Sequence, residues 1–383
     1  MDPIVEQYEK YPYPTHNTEQ IERFKNGLNV ALDSCPSRLG RAVWGGLRTN
    51  LEILSAGCGT SQAYCLAVKN PESRITGIDV SKSSLEMSRV LLESEKITNA
   101  ILINSAILDH SDKYDVISCT GVLHHTANPI ENLSHLASLL SDEGYISLSV
   151  YGPSVRQELR DFKKTIRELG LAQNPESVSH LKEIIDKLPE HHPAKNQIKL
   201  YGDFSTKEGF IDFFLNAREV DYSIDQLFEM VDQAGLSIYQ FTYPTLYYPN
   251  FYLKGELLQR IKEFDLITQF SLTETLSYPR TMHSVILKKK GKDSLIFDTD
   301  ALISRHKRVI LARGLSVMRD EEKAVIEINV ANEKTDKVLY RGFKSVDWDN
   351  MKQGCEIKEV PLFKKNPAVL SSLVKLGICE LIS

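Results

Sequence analysis

The 383-residue chain contains six cysteines, and no two of them form a Cys-x-x-Cys pair. Disulfide frameworks and zinc sites rely on regularly spaced cysteines, so we expect reduced, buried thiols at Cys58, Cys65 and Cys119. Apolar runs are far shorter than the roughly 20 residues of a membrane-spanning helix. The first residues are acidic, unlike a basic signal peptide. These absences predict a soluble cytoplasmic protein without a membrane segment.

Positive charge is not in excess, since the formal net charge is −5. This balance argues against broad electrostatic attraction to nucleic acid. Apolar residues make up 42% and charged residues 25% of the chain, which is ordinary for a globular protein. The length exceeds what one compact core usually organises, so we expect two or three units.

An apolar strand runs into a glycine-containing turn at residues 51–60, and a second strand ends on Asp79. Gly57 and Gly59 allow the backbone to pass close beneath a flat, polar ligand. Asp79 follows Gly59 by twenty residues, where its carboxylate can accept hydrogen bonds from both hydroxyls of a ribose. The pattern predicts a nucleoside-binding βαβ unit.

The same turn lacks the residues that hold phosphates. A dinucleotide site places a third small residue three positions after Gly59, but Gln62 occupies that position. No Gly-Lys-Ser/Thr segment follows, so a P-loop is not expected either. A nucleoside without phosphates suits this turn, and S-adenosylmethionine is a ligand of this kind.

Strands and helices alternate between residues 52 and 150, which predicts a parallel sheet with helices on both faces. The expected strands are 52–56, 74–79, 100–104, 114–119 and 145–150, and the expected helices are 61–69, 81–94 and 129–140. Helices at 154–169, 177–188 and 223–234 interrupt this order, which resumes with strand 236–243, helix 255–270 and strand 282–289. Because the interruption follows the fifth strand at the carboxyl edge of the sheet, we expect a lid over the ligand.

The chain therefore divides into four expected parts. They are an N-terminal arm (1–45), a ligand-binding domain (46–151 and 236–290), a helical insertion (152–235) and a C-terminal α+β unit (291–383). The C-terminal unit is expected to contain a strand at 324–329 and a closing helix at 368–376. The lysine-rich residues 288–292 are interpreted as the solvated end of an edge strand, with nucleic-acid contact as the lesser alternative.

Three segments, 53–60, 77–85 and 114–125, resemble those of class I S-adenosylmethionine-dependent methyltransferases. They most resemble a bacterial subgroup that begins with Tyr-x-x-x-Pro-Tyr-Pro, loosely matched by residues 8–14, and that has Gly-Val-Leu-His-His, here at 121–125. The resemblance extends over residues 1–290. It implies a Rossmann-like α/β sheet of seven mostly parallel strands, to which the pattern of elements adds the helical insertion after strand 5 and the C-terminal α+β domain.

The resemblance also implies S-adenosyl-L-methionine as the cofactor and assigns the residues that hold it. Gly57 and Gly59 would underlie its methionine part, and Asp79 would accept from the ribose. Val80 and Ile107 would pack on the two faces of the adenine. The whole set consists of Ala56, Gly57, Cys58, Gly59, Asp79, Val80, Ala106, Ile107, Thr120, Gly121, Tyr11 and Tyr13.

Two positions depart from the pattern of that family. Ser55 stands where many relatives have an acidic residue that helps hold the cofactor's amine, and Ala106 stands where an Asp often receives the adenine amino group. Losing a hydrogen bond to the charged ammonium would cost about 1.5–3 kcal/mol. Cofactor binding would then weaken by about one or two orders of magnitude without being abolished.

His124 and His125 follow the fourth strand and are the candidate catalytic residues. A neutral imidazole at this place could remove a proton from a methyl acceptor or orient it. The alternative is structural, with one histidine capping the next helix and the other packing against it. No metal site is expected, because adjacent histidines on a turn rarely reach one metal together and no third ligand is placed.

Tyrosines are further candidates for the site. Tyr8, Tyr11 and Tyr13 could close over the cofactor as a clamp, or they could pin the N-terminal arm to the domain. Tyr151, after the fifth strand, and Tyr247, after the sixth, are candidate substrate residues. Packing is the alternative for Tyr247, and the basic helix after Tyr151 is interpreted as a solvated face rather than an anion site.

We expect methyl transfer to an oxygen or nitrogen atom of an unidentified small molecule, peptide or protein. The motifs of adenine, cytosine and arginine methylation are absent, so nucleic acid is not an expected partner. Three alternatives remain open: a non-catalytic scaffold with this fold, an RNA methyltransferase that docks through its C-terminal domain, and a nucleotide-dependent oxidoreductase. The sequence predicts no particular oligomeric state.

Overall fold

The computed structural model describes most of the chain. The described residues are 2–15, 21, 43–46, 48–200, 204, 206–279, 282–311, 316–320, 323–330, 333–341, 345–375 and 378–382. Much of the expected N-terminal arm therefore lies outside the described residues. Its described part begins with helix α1 (Pro3–Lys10), which Asp2 caps by accepting a 2.9 Å hydrogen bond from the backbone N–H of Ile4.

A seven-stranded sheet forms the centre of the protein. Its strands are β1 (Glu52–Ala56), β2 (Arg74–Asp79), β3 (Ala100–Asn104), β4 (Tyr114–Thr120), β5 (Leu140–Val150), β6 (Leu236–Phe241) and β7 (His283–Lys289). They lie in the order β3-β2-β1-β4-β5-β7-β6, with β1 to β5 parallel and β7 antiparallel to both β5 and β6. This sheet confirms the expected Rossmann-like fold.

Local sequence explains the first half of the sheet and its flanking helices. These helices are α2 (Gln62–Lys69), α3 (Lys82–Ser94) and α4 (Pro129–Leu139). Ser81 caps α3, since its hydroxyl accepts a 3.0 Å hydrogen bond from the N–H of Ser84. In β1, Ile53 and Leu54 are both fully buried although they point to opposite faces. Burial on both faces is typical of a parallel strand covered by helices on each side.

Strand β5 begins at Leu140, five residues before the expected start at Tyr145. The residues between them bulge out of the ladder, because Leu140 pairs with Tyr114 and Tyr145 already pairs with Val116. Gly144 lies against the neighbouring strand here, and a Cβ at this position would approach the carbonyl oxygen of Asp115 to 2.7 Å. The Asp-Glu-Gly segment that predicts a helix stop thus forms part of a bulged strand.

The described residues of the expected insertion form five α-helices: α5 (Pro153–Glu168), α6 (Pro175–Lys187), α7 (Pro193–Leu200), α8 (Lys207–Phe214) and α9 (Ile224–Gln233). The first four share a hydrophobic cluster of their own, with Leu159, Leu181 and Phe214 nearly inaccessible. Helix α9 instead packs into the cluster of the main sheet. Helices α5 to α8 therefore form one packed unit of the insertion, separate from the cluster of the main sheet.

The helix expected at 255–270 is two helices, α10 (Gly255–Ile261) and α11 (Leu266–Ser277). The break lies at Asp265, whose carboxylate accepts a 3.0 Å hydrogen bond from the N–H of Thr268. Such an N-cap begins a new helix, and the sequence pattern did not reveal it because apolar residues continue on both sides.

The C-terminal part mixes helices with two three-stranded sheets, ordered β11-β10-β9 and β12-β8-β13. Its elements are α12 (Thr299–Arg305), β8 (Arg308–Leu311), β9 (Ser316–Asp320), β10 (Lys323–Val330), β11 (Glu333–Arg341), α13 (Ser345–Gln353), β12 (Cys355–Glu356), α14 (Pro361–Lys365), α15 (Pro367–Lys375) and β13 (Cys379–Ile382). Leu295, Ile296 and Leu302 join the hydrophobic cluster of the main sheet. The C-terminal part thus packs directly on the seven-stranded sheet.

The lysines around residue 290 do not mark an edge strand, contrary to the expectation, because β7 lies between β5 and β6. Their ammonium groups pair with acidic side chains. Lys289 lies 3.0 Å from Asp142, Lys290 2.6 Å from Asp232 and Lys292 2.7 Å from Glu143. The segment is a set of surface ion pairs with acidic residues of β5 and helix α9.

Within the described ranges, the structure contains no helix with the length and apolarity needed to cross a bilayer. The same residues include no cluster of three or more His, Cys, Asp or Glu side chains that could hold a metal ion.

Candidate active site

A cavity of about 870 Å³ lies at the carboxyl edge of the sheet. Its walls include the loops after β1 to β6, the N-terminal segment with α1, helices α5 and α8 of the insertion, and the segment before β7. Open α/β sheets bind ligands at this edge, and the volume suits one cofactor with part of a second molecule.

The floor of the cavity is the turn after β1. Gly57 and Gly59 both have positive φ, +69° and +53°, which favours glycine. A Cβ on Gly57 would lie 2.5 Å from Cγ2 of Val122, and one on Gly59 would lie 3.3 Å from the carbonyl oxygen of Tyr13. Both glycines line the cavity. The turn therefore has no room for a larger residue than glycine at either position, while its backbone borders the cavity.

Asp79 lies at the end of β2 and faces the same cavity. One carboxylate oxygen accepts from the N–H of Gly59 and the other from the N–H of Ser81, each at 2.8 Å. Burial raises the pKa of Asp79, and these two backbone hydrogen bonds oppose the rise. The backbone N–H of Val80 also lowers this pKa, and a carboxylate has about four acceptor positions, so Asp79 can still accept from a ligand hydroxyl.

Val80, Ala106 and Ile107 line the cavity beside Asp79, after β2 and β3. The amide of Asn104 fixes the loop above them by donating to the carbonyl oxygens of Asp79 and Val80, at 2.9 and 3.1 Å. A flat ring next to a ribose fits between these apolar side chains. The glycine floor, the carboxylate and the apolar slot together fit an adenosine group.

The N-terminal segment closes the opposite side of this pocket. Tyr13 and Pro14 line the cavity, and the hydroxyl of Thr60 donates to the carbonyl oxygen of Pro14. Near the end of α1, the carboxylate of Glu9 accepts a 3.2 Å hydrogen bond from the N–H of Ser83, at the start of α3. Of the three expected clamp tyrosines, Tyr11 does not line the cavity, because its ring is buried in the cluster of the insertion.

The two expected histidines lie in a 3-10 turn after β4 but face different ways. His125 lines the cavity, and its Nδ1 lies 2.7 Å from the carbonyl oxygen of Arg218. A carbonyl only accepts, so Nδ1 carries the proton and Nε2 carries the lone pair. Burial lowers the pKa of His125, although Asp212, the Arg218 carbonyl and Glu219 oppose the shift. The imidazole is therefore neutral at neutral pH.

His124, in contrast, is fully buried and does not line the cavity. Its Nδ1 accepts from the N–H of Tyr151 at 3.3 Å, and its ring stacks on Tyr151 with 3.7 Å between the centroids. Burial holds the pKa of His124 well below its usual value. His124 is therefore a buried packing residue, although its partner is Tyr151 rather than the next helix, whose N-cap is Asn128.

Comparisons with known proteins agree with this geometry. Residues 54–146 match a family model described as a methyltransferase domain, and they include the glycine turn, Asp79 and His125. The chain has a class I methyltransferase domain.

Several relatives share parts of the chain. An uncharacterized Synechococcus protein is 28% identical over 244 residues, which cover 60% of this chain and 58% of that protein. A ubiquinone biosynthesis O-methyltransferase of Vibrio parahaemolyticus is 28% identical over 136 residues, 34% of this chain and 53% of that enzyme. The chain spans about half the length of the curated relatives it matches.

A solved structure shares the fold over most of the chain. PKMT2 from Rickettsia typhi, in complex with AdoHcy, superposes with a TM-score of 0.60 at 18% sequence identity. The superposition covers 92% of this chain and 76% of that one, so it extends well beyond the methyltransferase domain.

On the insertion side of the methyltransferase domain, Tyr151 lines the cavity as expected. Its ring lies between His124 and Arg156, whose guanidinium carbon is 3.7 Å from the ring centroid. Arg156 pairs with Glu219 at 3.2 Å, and Lys163 pairs with the same carboxylate at 2.6 Å. Burial lowers the pKa of Lys163 to about 8. The expected solvated face is thus wrong for Arg156 and Lys163, which are buried because Glu219 neutralises them.

Asp212 is a cavity residue that the sequence analysis missed. It is 5% exposed and accepts hydrogen bonds from the hydroxyl of Tyr8, at 2.8 Å, and the amide of Asn216, at 3.2 Å. The sequence does carry a signal for it, a single carboxylate within Phe210-Ile211-Asp212-Phe213-Phe214. A lone acid in such a run is buried with a partner or serves a site.

Tyr247 and Ala56, two other expected site residues, lie outside the cavity. Tyr247 is 1% exposed and stacks on Phe241 with 4.1 Å between ring centroids. Its hydroxyl oxygen lies 2.6 Å from Nδ1 of His283. Ala56 is fully buried beneath the turn. Apart from Ala56 and Tyr11, the expected cofactor residues do line the cavity: Gly57, Cys58, Gly59, Asp79, Val80, Ala106, Ile107, Thr120, Gly121 and Tyr13.

Proposed function

We propose that this protein is an S-adenosylmethionine-dependent methyltransferase whose acceptor is an oxygen or nitrogen atom of a small molecule or a protein. One observation carries the proposal. A single cavity is lined by Asp79, in the pocket proposed for adenosine, and also by His125, Tyr151, Asp212 and Phe213, and we call the part around these last four residues the acceptor chamber. Two reactants can therefore meet in one enclosed space.

Each part of the cofactor has residues suited to it. Gly57 and Gly59 would lie beneath its methionine part, Asp79 would accept from the ribose, and Val80 and Ile107 would hold the adenine. The bound sulfonium supplies an activated methyl carbon for an in-line displacement. The protein then has three tasks: to align the acceptor, to exclude water and to remove a proton from the acceptor.

His125 is suited to remove that proton. The Arg218 carbonyl fixes the tautomer with its lone pair on Nε2, and the lowered pKa keeps this nitrogen unprotonated at neutral pH. A proton taken from a hydroxyl or an ammonium would remain close to Asp212 and Glu219, which both stabilise a positive charge on His125. Protonation in the transition state is therefore less costly than burial alone suggests.

The acceptor chamber combines aromatic walls with balanced charges. Tyr8, Tyr151 and Phe213 line it, and the positive charge of Arg156 faces Glu219 as well as the chamber. Ubiquinone biosynthesis and malonyl-[acyl-carrier protein] O-methyltransferases among the relatives support an oxygen acceptor. The cytoplasmic location is part of the same proposal, supported by five buried free cysteines among the described residues.

Calorimetry with S-adenosylmethionine and S-adenosylhomocysteine tests the cofactor assignment. We expect the wild type to bind both, and Asp79→Asn, which keeps size and removes charge, to bind both about ten- to hundredfold more weakly. Release of S-adenosylhomocysteine during a screen of metabolites and peptides then identifies the acceptor. No binding at millimolar ligand would favour the scaffold alternative, and a thermal shift with nicotinamide cofactors would favour the oxidoreductase.

A further inference from the structure

Gln62 lies at the first turn of α2, beside the glycine turn, and its side chain lines the cavity. Ser55 and Ser118 are register partners on the adjacent parallel strands β1 and β4, and both are fully buried. The hydroxyl of Ser55 donates to Oε1 of Gln62 at 3.0 Å, and Nε2 of Gln62 donates to the hydroxyl of Ser118 at 3.2 Å. The two serines thus hold one amide across the pair of strands.

A primary amide has two acceptor positions and two N–H groups. The two serine hydroxyls use one of each, so one lone pair of Oε1 and one N–H of Nε2 remain for a ligand. Because Gln62 lines the cavity, a ligand on the glycine turn can reach them. The amide therefore offers a donor and an acceptor side by side, which complements a zwitterion with an ammonium and a carboxylate group.

The order of the strands places this amide at one end of the cofactor pocket. Asp79 and Ile107 follow β2 and β3, on one side of the β1 turn, while Ser118 and Gln62 lie toward β4 on the other side. A ligand with its ribose at Asp79 and its ring at Ile107 directs its remaining end toward Gln62.

We propose that Gln62, held by Ser55 and Ser118, binds the α-amino-acid end of the cofactor and takes the place of the acidic residue that Ser55 replaces. This inference rests on the proposed function. Ser55 itself does not line the cavity, so it acts by orienting Gln62. The protein would thus recognise the zwitterion through a neutral amide that a pair of buried serines holds in place.

The test compares three ligands by calorimetry: S-adenosylhomocysteine, 5′-methylthioadenosine, which lacks the amino-acid end, and decarboxylated S-adenosylmethionine, which keeps the ammonium. Gln62→Met should raise the Kd of S-adenosylhomocysteine about ten- to hundredfold. The Kd of methylthioadenosine should stay within about threefold, because that ligand does not reach the amide. Asp79→Asn is the matched control and should weaken all three ligands alike, since each contains the ribose.

Gln62→Glu is a second variant of the same length, which keeps an acceptor for the ammonium. It should lose affinity for S-adenosylhomocysteine but keep it for the decarboxylated ligand, because only the first has a carboxylate that the new charge repels. If Gln62→Met raised the Kd of methylthioadenosine and of S-adenosylhomocysteine equally, or raised neither, the role of Gln62 would be overturned while the proposed function would stand. A wild type that binds none of the three would overturn the proposed function as well.

Discussion

His125 and His124 are neighbours in the chain with the same side chain, yet the structure gives them different chemistry. The carbonyl oxygen of Arg218 accepts a hydrogen bond from the protonated Nδ1 of His125, which leaves Nε2 as the basic nitrogen of a residue that lines the cavity. His124 uses Nδ1 to accept from the backbone of Tyr151 and is enclosed on all sides. The backbone contact of each ring determines which nitrogen keeps a lone pair, and the position of the ring determines whether that nitrogen can reach a substrate.

His125→Gln should lower kcat by about 10²–10⁴-fold with an acceptor that must lose a proton, because the variant has no base. The Kd of S-adenosylhomocysteine should change little, since the glycine turn and Asp79 are untouched. Burial lowers the pKa of His125, so wild-type kcat should rise with pH through a midpoint below the ordinary histidine value of 6.5. Stopped assays over pH 5–8 measure the loss of kcat in the variant and the pH dependence of kcat in the wild type. An unchanged kcat for the variant with every acceptor would refute the assignment.

At the scale of secondary structure, helix α5 shows how burial changes the meaning of charged residues. Its outward side chains Arg160 and Lys164 are exposed, as an amphipathic pattern predicts. Arg156 and Lys163 lie on the inner face, where the single carboxylate of Glu219 pairs with both. Burial raises the pKa of Glu219, but the two cations outweigh that effect and leave the carboxylate ionised. This ion triad fixes α5 against the chamber that contains Tyr151.

Glu219→Gln should lower the free energy of unfolding by about 3–5 kcal/mol, because two buried cations lose their counter-charge. Arg160→Gln breaks the exposed pair with Asp221 on the same helix and should cost less than about 1 kcal/mol. Urea denaturation at pH 7 measures both variants. Similar losses for the two would mean that the triad contributes no more than a surface ion pair.

In the whole molecule, α1 connects the cofactor pocket to the insertion. Glu9 binds the start of α3 next to Asp79, and Tyr8 donates to Asp212 on α8. The amide oxygen of Gln7 accepts from the N–H of Ala217 at 2.9 Å. Three consecutive residues thus contact both walls of the cavity, so the N-terminal segment and the insertion should close over the cofactor together.

Deletion of residues 2–14 should raise the Kd of S-adenosylhomocysteine at least about tenfold, since the pocket loses one wall and its contacts at Thr60 and Ser83. Saturating S-adenosylhomocysteine, at about 100 times its Kd, should stabilise the wild type by about 2.7 kcal/mol and the deletion variant less at the same concentration. Calorimetry and thermal unfolding give the two values. Tyr8→Phe, which removes only the link to Asp212, is the matched control for the pocket contacts. An unchanged Kd after the deletion would mean that the segment only attaches the N-terminal arm to the domain and does not help bind the cofactor.

The sequence by itself determined the methyltransferase domain. The glycine turn, Asp79 and the alternation of strands and helices are local features, because positive φ, strand burial and N-caps depend on neighbouring residues. Their positions therefore agree with the structure to within one or two residues from β1 to β4. The bulge in β5 escaped prediction, since the contact of Gly144 with Asp115 comes from the adjacent strand.

The tertiary structure alone decided which side chains share the cavity. Asp212 and Arg156 come to Tyr151 and His125 from α8 and α5, and no spacing in the chain encodes that approach. Tyr247 turns away from the cavity because Phe241 and His283 bind it in the core. Side-chain direction and burial depend on packing between distant segments, so a motif predicts the cofactor pocket while the acceptor chamber requires the folded chain.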